Sequence, residues 1–151
     1  MLVKNIISKN LHYCTPFDTA QAAAKTMKAQ GIGALPVVSD ETDRRLEGIV
    51  TDRDLCCGVV AVGKLAETTR IADVMTRNPI TCATENTLED CEELMQKHQV
   101  RRLPVTDQHG KCVGVVAQAD IALHGPAGMV AKMLAAISKP AKRHGAHAAG
   151  A

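Results

Sequence analysis

The second half of this chain repeats the first. With Pro36 laid on Pro104, an offset of 68 (104 minus 36) brings Asn10 onto Asn78, Cys14 onto Cys82, Thr19 onto Thr87 and Met27 onto Met95. After a two-residue deletion the offset becomes 66 (114 minus 48), and Gly48, Val50 and Asp54 meet Gly114, Val116 and Asp120. Residues 3–55 thus recur at 71–121. A repeat of this length is one supersecondary unit that buries its apolar face poorly by itself. Two copies imply a body with pseudo-two-fold symmetry, its functional surface lying where the halves meet.

Each copy reads as strand, helix, strand, strand, helix. The runs Leu11–Cys14 and Ile80–Cys82 are β-like. Asp18-Thr19-Ala20-Gln21 and Asn86-Thr87-Leu88-Glu89 fit a capping box, a side-chain acceptor three residues before Glu or Gln. Behind them, Ala20, Ala23, Ala24 and Met27, and then Leu88, Cys91 and Met95, fall on one helical face. Gly31 stands where a helix C-cap is expected. Strands follow at Leu35–Val38, Leu46–Val50, Leu103–Thr106 and Cys112–Val116, joined by Asp-rich turns. Pro36 and Pro104 remove a ladder donor and belong at a strand start or edge. Further helices begin near Thr51 and Asp120, and Met129, Val130, Met133, Leu134 and Ile137 support a last one ended by Pro140. The expected division is repeat 1 over 1–63, a polar linker over 64–70, repeat 2 with its C-terminal helix over 71–138, and a disordered tail over 139–151.

At 151 residues, one compact body or two small halves can form. The core must be aliphatic, because Tyr13 and Phe17 are the only aromatics. A net charge of +2 implies neither nucleic acid nor membrane. No apolar run approaches the ~20 residues of a membrane span, and the N-terminus lacks a signal-peptide apolar region. The six cysteines include no C-x-x-C and read as buried, reduced thiols of a cytoplasmic protein. His144 and His147 make a weak metal tract, and no metal site is expected.

The sharpest motif is Gly48-Ile49-Val50-Thr51-Asp52-Arg53-Asp54. Thr-x-x-Asp is itself a capping box and needs no ligand. Three points favour a ligand. The second copy, Gly114–Asp120, keeps the carboxylate but has Ala117 in place of Thr51. A strand-to-helix junction aims free N–H groups outward, which suits phosphate. A carboxylate beside it can accept both hydroxyls of a ribose. Together these groups describe a nucleotide site.

With Gly31–Val38, Gly48–Asp54, Asp73-Val74-Met75-Thr76, Gln99–Val105 and Gly114–Asp120 read together, the chain resembles the stand-alone paired CBS-domain proteins over roughly residues 1–125. The resemblance implies an α/β (α+β) fold of two tandem βαββα repeats, sheets packed together and helices outside. It implies a regulatory binding module, not an enzyme, with no required cofactor. The regulatory ligand would be an adenosyl compound: AMP, ADP, ATP or S-adenosylmethionine. Each cleft would take its carboxylate from one repeat and its base-holding backbone from the other. The first would use Thr51, Asp52, Arg53 and Asp54 with Ile80, Thr81, Cys82, Val100, Arg101 and Arg102. The second would use Ala117 and Asp120 with Tyr13, Cys14, Thr15, Ile32, Gly33 and Ala34. Asp54 would hold the ribose, Thr51 and the amides behind it a phosphate, Ile80 and Val100 the adenine, and Arg101 or Arg102 phosphate charge. Ala117 weakens the second cleft.

The resemblance also implies a homodimer built through helices, and an effector on another polypeptide. Two alternatives stand beside this reading. Nucleic-acid binding has Arg44-Arg45, Arg101-Arg102 and Lys142-Arg143 in its favour but lacks aromatic stacking platforms. A ligand-free dimerisation scaffold predicts no thermal response to nucleotides. No H-E-x-x-H, P-loop or G-x-S-x-G supports catalysis.

Overall fold

The computed structural model describes residues 1–7 and 10–140. The tail expected over 139–151 lies outside them from residue 141 onward, as do His144 and His147. The described chain mixes helices with two three-stranded sheets. It groups into two compact units whose boundaries do not follow the repeats. Among the described residues, one unit is His12–Pro79; the other takes Met1–Leu11 together with residues 80–140.

In the His12–Pro79 unit, α1 (Ala20–Gln30) is followed by β1 (Ala34–Val38), β2 (Leu46–Thr51), α2 (Asp52–Leu55) and β3 (Thr76–Arg77). The sheet order is β1-β2-β3, antiparallel throughout. Alternation does not govern β1, which is buried along its whole length because both faces are covered. The cap of α1 differs by one residue from the sequence reading. Thr19, not Asp18, is the N-cap, accepting from the Ala22 N–H at 3.1 Å. Asp18 instead accepts from the Thr15 N–H at 2.8 Å and closes the preceding turn. Gly31 ends α1 at φ 65°, the left-handed conformation that glycine adopts without a Cβ clash. Ala20, Ala23 and Met27 face the core, whereas Ala24 is exposed. The short helix α2 runs directly into a π-type turn, Cys56–Val60.

In the other unit come β4 (Cys82–Ala83), α3 (Leu88–His98), β5 (Arg102–Thr106), β6 (Cys112–Ala117), α4 (Gln118–His124) and α5 (Ala127–Ile137). The order is β4-β5-β6, with β4 parallel and β6 antiparallel to β5. The N-cap of α3 is Thr87, one residue after the expected Asn86, and its box is closed by Asp90 rather than Glu89. Helix α3 ends on Gln99 at φ 52°, a strained place for a residue with a Cβ and the match of Gly31. Met133 and Ile137 of α5 are buried against a core containing Met95, Leu103 and Ile121.

The first β-like run of each repeat shrinks. Residues 11–14 form only a one-residue parallel bridge, Cys14 to Val37, and Ile80–Cys82 yields the two-residue β4. The cause is the proline. Pro36 accepts from the Cys14 N–H at 3.0 Å but has no N–H to return, so pairing on that side cannot extend. Pro36 lies on an edge strand, as expected, whereas Pro104 lies in β5, the central strand of its sheet. There the two-residue length of β4 spares the missing donor.

The units depart from the repeats because the opening segment of each repeat packs on the body of the other. In the unit from Ile80 onward, Val3 N–H donates to Asn86 O at 2.9 Å and Leu2 bridges Thr87. In the His12–Pro79 unit, Ile71 N–H donates to Asp18 O at 2.9 Å and Arg70 bridges Thr19. These contacts match one another at the repeat offset. Val3 and Ile71 are both fully buried. The same exchange explains two glycines. A Cβ at Gly48 would lie 2.6 Å from Thr76 O, and one at Gly114 would lie 2.9 Å from Ile7 Cβ. Residues 64–70 are likewise bound into the first unit, with Ala66 O and Thr69 O accepting from the Gln21 and Ala20 N–H groups.

Candidate functional site

The two strand-to-helix junctions are built alike. At the first, Thr51 caps α2: its hydroxyl accepts from the Asp54 N–H at 3.1 Å, and Asp54 Oδ2 accepts from the Thr51 N–H at 2.9 Å. Both residues are buried, Asp54 to 6% exposure and Thr51 to 5%. The box fixes the orientation of the carboxylate. At the second, Asp120 Oδ2 accepts from the Ala117 N–H at 2.7 Å, and the hydroxyl half of the box is absent. Asp120 is only half-buried. Retention of this carboxylate without a threonine therefore has a structural cause, and the inference that it must serve a ligand loses force.

Each junction touches the backbone assigned to the other cleft. In the His12–Pro79 unit, Asp52 N–H donates to Gly33 O at 2.9 Å, and Ala34 pairs with Thr51. In the unit from Ile80 onward, Gln118 N–H donates to Arg101 O at 2.9 Å, and Arg102 pairs with Ala117. Tyr13, Cys14 and Thr15 lie farther along, since Cys14 bridges Val37 at the opposite end of β1 from Ala34. Cys82 similarly pairs with Val105. Of the first set, Thr51, Asp52, Arg53 and Asp54 belong to one unit and Ile80, Thr81, Cys82, Val100, Arg101 and Arg102 to the other. The second set divides the same way, Ala117 and Asp120 against Tyr13, Cys14, Thr15, Ile32, Gly33 and Ala34. Asp52, Arg53 and Arg101 are exposed, whereas Ile80, Thr81, Val100, Arg102 and Ile32 are partly covered.

Two contacts escaped the sequence reading. The Arg44 guanidinium lies 5.0 Å from the centre of the Tyr13 ring, a cation–π distance. Arg44 has φ 50°, and its match in the second repeat is Gly110 at φ 77°. An arginine at a position the other copy gives to glycine was the available signal. The other brings Cys82 and Cys91 into one buried core cluster. Its signal was the match of Cys91 with Ala23. Burial, with the Asp18 charge adding to it, pushes the Cys14 thiol up to about 12. Cys82 is raised because its proton is held in the bond to Cys91 and because it is buried, while that donated hydrogen bond lowers Cys91.

A sequence model of the CBS domain matches residues 3–59 and 71–125. The chain belongs to the CBS-domain family. It is 39% identical over 124 residues to hypoxic response protein 1 of Mycobacterium tuberculosis, covering 82% of this chain and 84% of that one. A crystal structure of that relative with two coordinated zinc ions superposes with a TM-score of 0.74 at 32% identity, over 83% of this chain and all of the other (100%). Among the described residues of this CBS pair, no group of three or more His, Cys, Asp or Glu is placed to hold a metal. CBSX2 in complex with AMP, a protein of Arabidopsis thaliana, matches with a TM-score of 0.69 at 27% identity, over 81% of this chain and 93% of that one. The CBS domain pair of MJ0100, in complex with 5-methylthioadenosine and S-adenosyl-L-methionine, matches with a TM-score of 0.72 at 32% identity, over 82% and 94%. No helix among the described residues is long and apolar enough to cross a membrane.

Proposed function

We infer that this CBS pair is a regulatory module that binds an adenosyl compound, AMP, ADP, ATP or S-adenosylmethionine, and signals through a dimer or partner surface. The observation that carries this reading is the Asp54 carboxylate, buried and fixed by its capping box at the third residue of α2. The likeness to CBS pairs in complex with AMP and with S-adenosylmethionine supports the ligand class. Asp54, already oriented by its box, accepts the ribose hydroxyls with little further ordering cost. Thr51 and the first amides of α2 meet a phosphate, Ile80 and Val100 enclose the base, and Arg101 or Arg102 supplies charge. Asp120 does the same work less well, because Ala117 offers no hydroxyl. Exposed Val60 and Val62 after α2 in one unit, and exposed Leu123 and Leu134 on α4 and α5 in the other, each offer apolar surface for a homodimer. The module acts in the cytoplasm, requires no cofactor and catalyses nothing.

A thermal-shift screen with AMP, ADP, ATP, S-adenosylmethionine and NADH tests this. Ligand at 100 times its Kd adds about 2.7 kcal/mol, a rise of roughly 5–10 °C for a chain of this size. Asp54→Asn keeps an oxygen for the Thr51 N–H and removes the charge a diol needs. It should leave the unliganded midpoint within about 2 °C and abolish most of the ligand shift. Full retention of that shift, or a protein indifferent to every adenylate, refutes the assignment.

A further inference from the structure

We propose that α5 is a releasable arm over a face of α3 better suited to another occupant, a helical partner segment that carries a lysine or arginine among apolar residues. Glu92 and Gln96 stand one turn apart on α3. Glu92 is buried to 5% exposure. Its Oε1 and the Gln96 Nε2 are both cut off from solvent, and neither has a hydrogen-bond partner among the described residues. The first repeat serves as the control. The matching residues on α1, Ala24 and Lys28, are exposed. Helix α1 packs on β1 and α2, and α3 packs on their matches, β5 and α4. What α3 has in addition is α5. The cover over Glu92 is therefore α5.

That cover is apolar. Met129, Val130, Met133 and Ile137 of α5 pack against the core, and its one charged residue, Lys132, is exposed. A carboxylate withdrawn from water without a partner costs free energy, and so does an orphaned amide donor. The cost opposes docking of α5, because undocking returns both groups to water. The attachment of α5 permits this. Helix α4 ends at His124 and α5 begins at Ala127. Between them Gly125 and Pro126 are extended, and Pro126 has no N–H with which to anchor the link. The CBS match stops at residue 125, so α5 lies outside the repeated unit.

The same chemistry specifies the partner. An amphipathic helix with one cation beside its apolar stripe would fill the face that α5 leaves and give Glu92 a charge-assisted hydrogen bond. This rests on the reading of the function given above, and places its partner surface on α3.

Hydrogen exchange on the full chain, without nucleotide, tests the release. Glu92→Met nearly keeps the side-chain volume and removes the orphaned oxygen. Peptides spanning 127–137 should then exchange about tenfold more slowly than in the unsubstituted chain, with β1 and β2 unchanged. An equal or faster rate means the carboxylate is satisfied where it lies, and overturns the proposal. Labelled synthetic peptides of residues 127–137 probe the partner. They carry Met129→Arg, Val130→Arg or Ala136→Arg, substitutions at the half-covered positions of α5. By fluorescence anisotropy, at least one should bind the full chain about tenfold more tightly than the unsubstituted peptide. That gain should vanish on Glu92→Met. Tight binding of the unsubstituted peptide with no gain from arginine assigns the face to α5 of a second copy and overturns the partner. A gain that survives Glu92→Met overturns it too. If Lys142→Ala with Arg143→Ala frees α5 in the unsubstituted chain but not in Glu92→Met, the chain's own tail answers Glu92 and the proposal falls. No arm uses nucleotide, so a protein indifferent to every adenylate would refute the proposed function and leave these results standing.

Discussion

Truncating Val3 should loosen the far half of the sequence. Val3 is fully buried in the cluster with Leu88, Met95 and Leu103, eighty or more positions away along the chain. Val3→Ala removes two methyl groups, about 1.6 kcal/mol of transfer free energy. The cavity left behind raises this to roughly 2–3 kcal/mol. Local opening there should become about 30- to 150-fold more frequent. Ile71→Ala is the reciprocal variant, because Ile71 fills the matching place among Ala23, Leu35 and Val50. Its cost is about 2–5 kcal/mol. Hydrogen exchange read by mass spectrometry separates the two. Val3→Ala should accelerate exchange most in β5 and β6, and Ile71→Ala most in β1 and β2. If Val3→Ala instead loosens β1 and β2 more, or both variants act evenly over the chain, the exchange of opening segments is refuted.

The two glycines beneath those segments should be intolerant to different degrees. Gly48→Ala sets a Cβ against the Thr76 carbonyl and should cost roughly 1–3 kcal/mol. Gly114→Ala meets the Ile7 side chain, which can shift, and should cost less; thermal melts of both variants check the order. Ala117→Thr should complete the second capping box and stabilise the chain by about 1 kcal/mol in urea titration; no gain would mean the hydroxyl cannot reach the Asp120 N–H. Hydrogen bonds from Thr87 and Asn86 hold the Asp90 carboxyl below the usual carboxylate range. Its folded value lies below the unfolded one, so its contribution is present above the ordinary carboxylate pKa and is lost as pH falls through the depressed value. The Thr87 amide resonance should follow that loss during acid titration, and Asp90→Asn should flatten the curve.

Much of the fold could be read from the chain because the repeat doubles every signal. Paired strands at Leu35 and Leu103, and at Leu46 and Cys112, begin within one residue of their expected positions, since hydrophobic runs between Asp-rich turns specify a hairpin locally. The first β-like runs misled, because the feature that limits them lies elsewhere, at Pro36 and Pro104. The caps slipped by one residue because Asp18 and Asn86 are as able to accept as Thr19 and Thr87; only backbone geometry separates them. The exchange of opening segments was the least legible feature. Two equivalent heads fit two equivalent bodies, and periodicity alone cannot choose the pairing. The repeated glycines at 48 and 114 announced a close approach without saying by which segment.

The candidate site poses the same difficulty in chemical form. Asp54 is both a cap and a proposed ribose ligand, and the two roles use one carboxylate. Asp120 shows that capping alone can retain the acid, because it still accepts from the Ala117 N–H with no hydroxyl in return. Burial separates the two junctions. Asp54 is nearly sequestered beside a buried threonine, whereas Asp120 is half open beside an alanine. Keeping a charge in the more buried place costs desolvation that a surface cap avoids. A neutral asparagine could accept the same N–H without that cost. Asparagine at 54 would keep that acceptor and remove the charge a diol would use. This makes the asparagine variant more telling than alanine, since alanine destroys cap and ligand together and asparagine divides them.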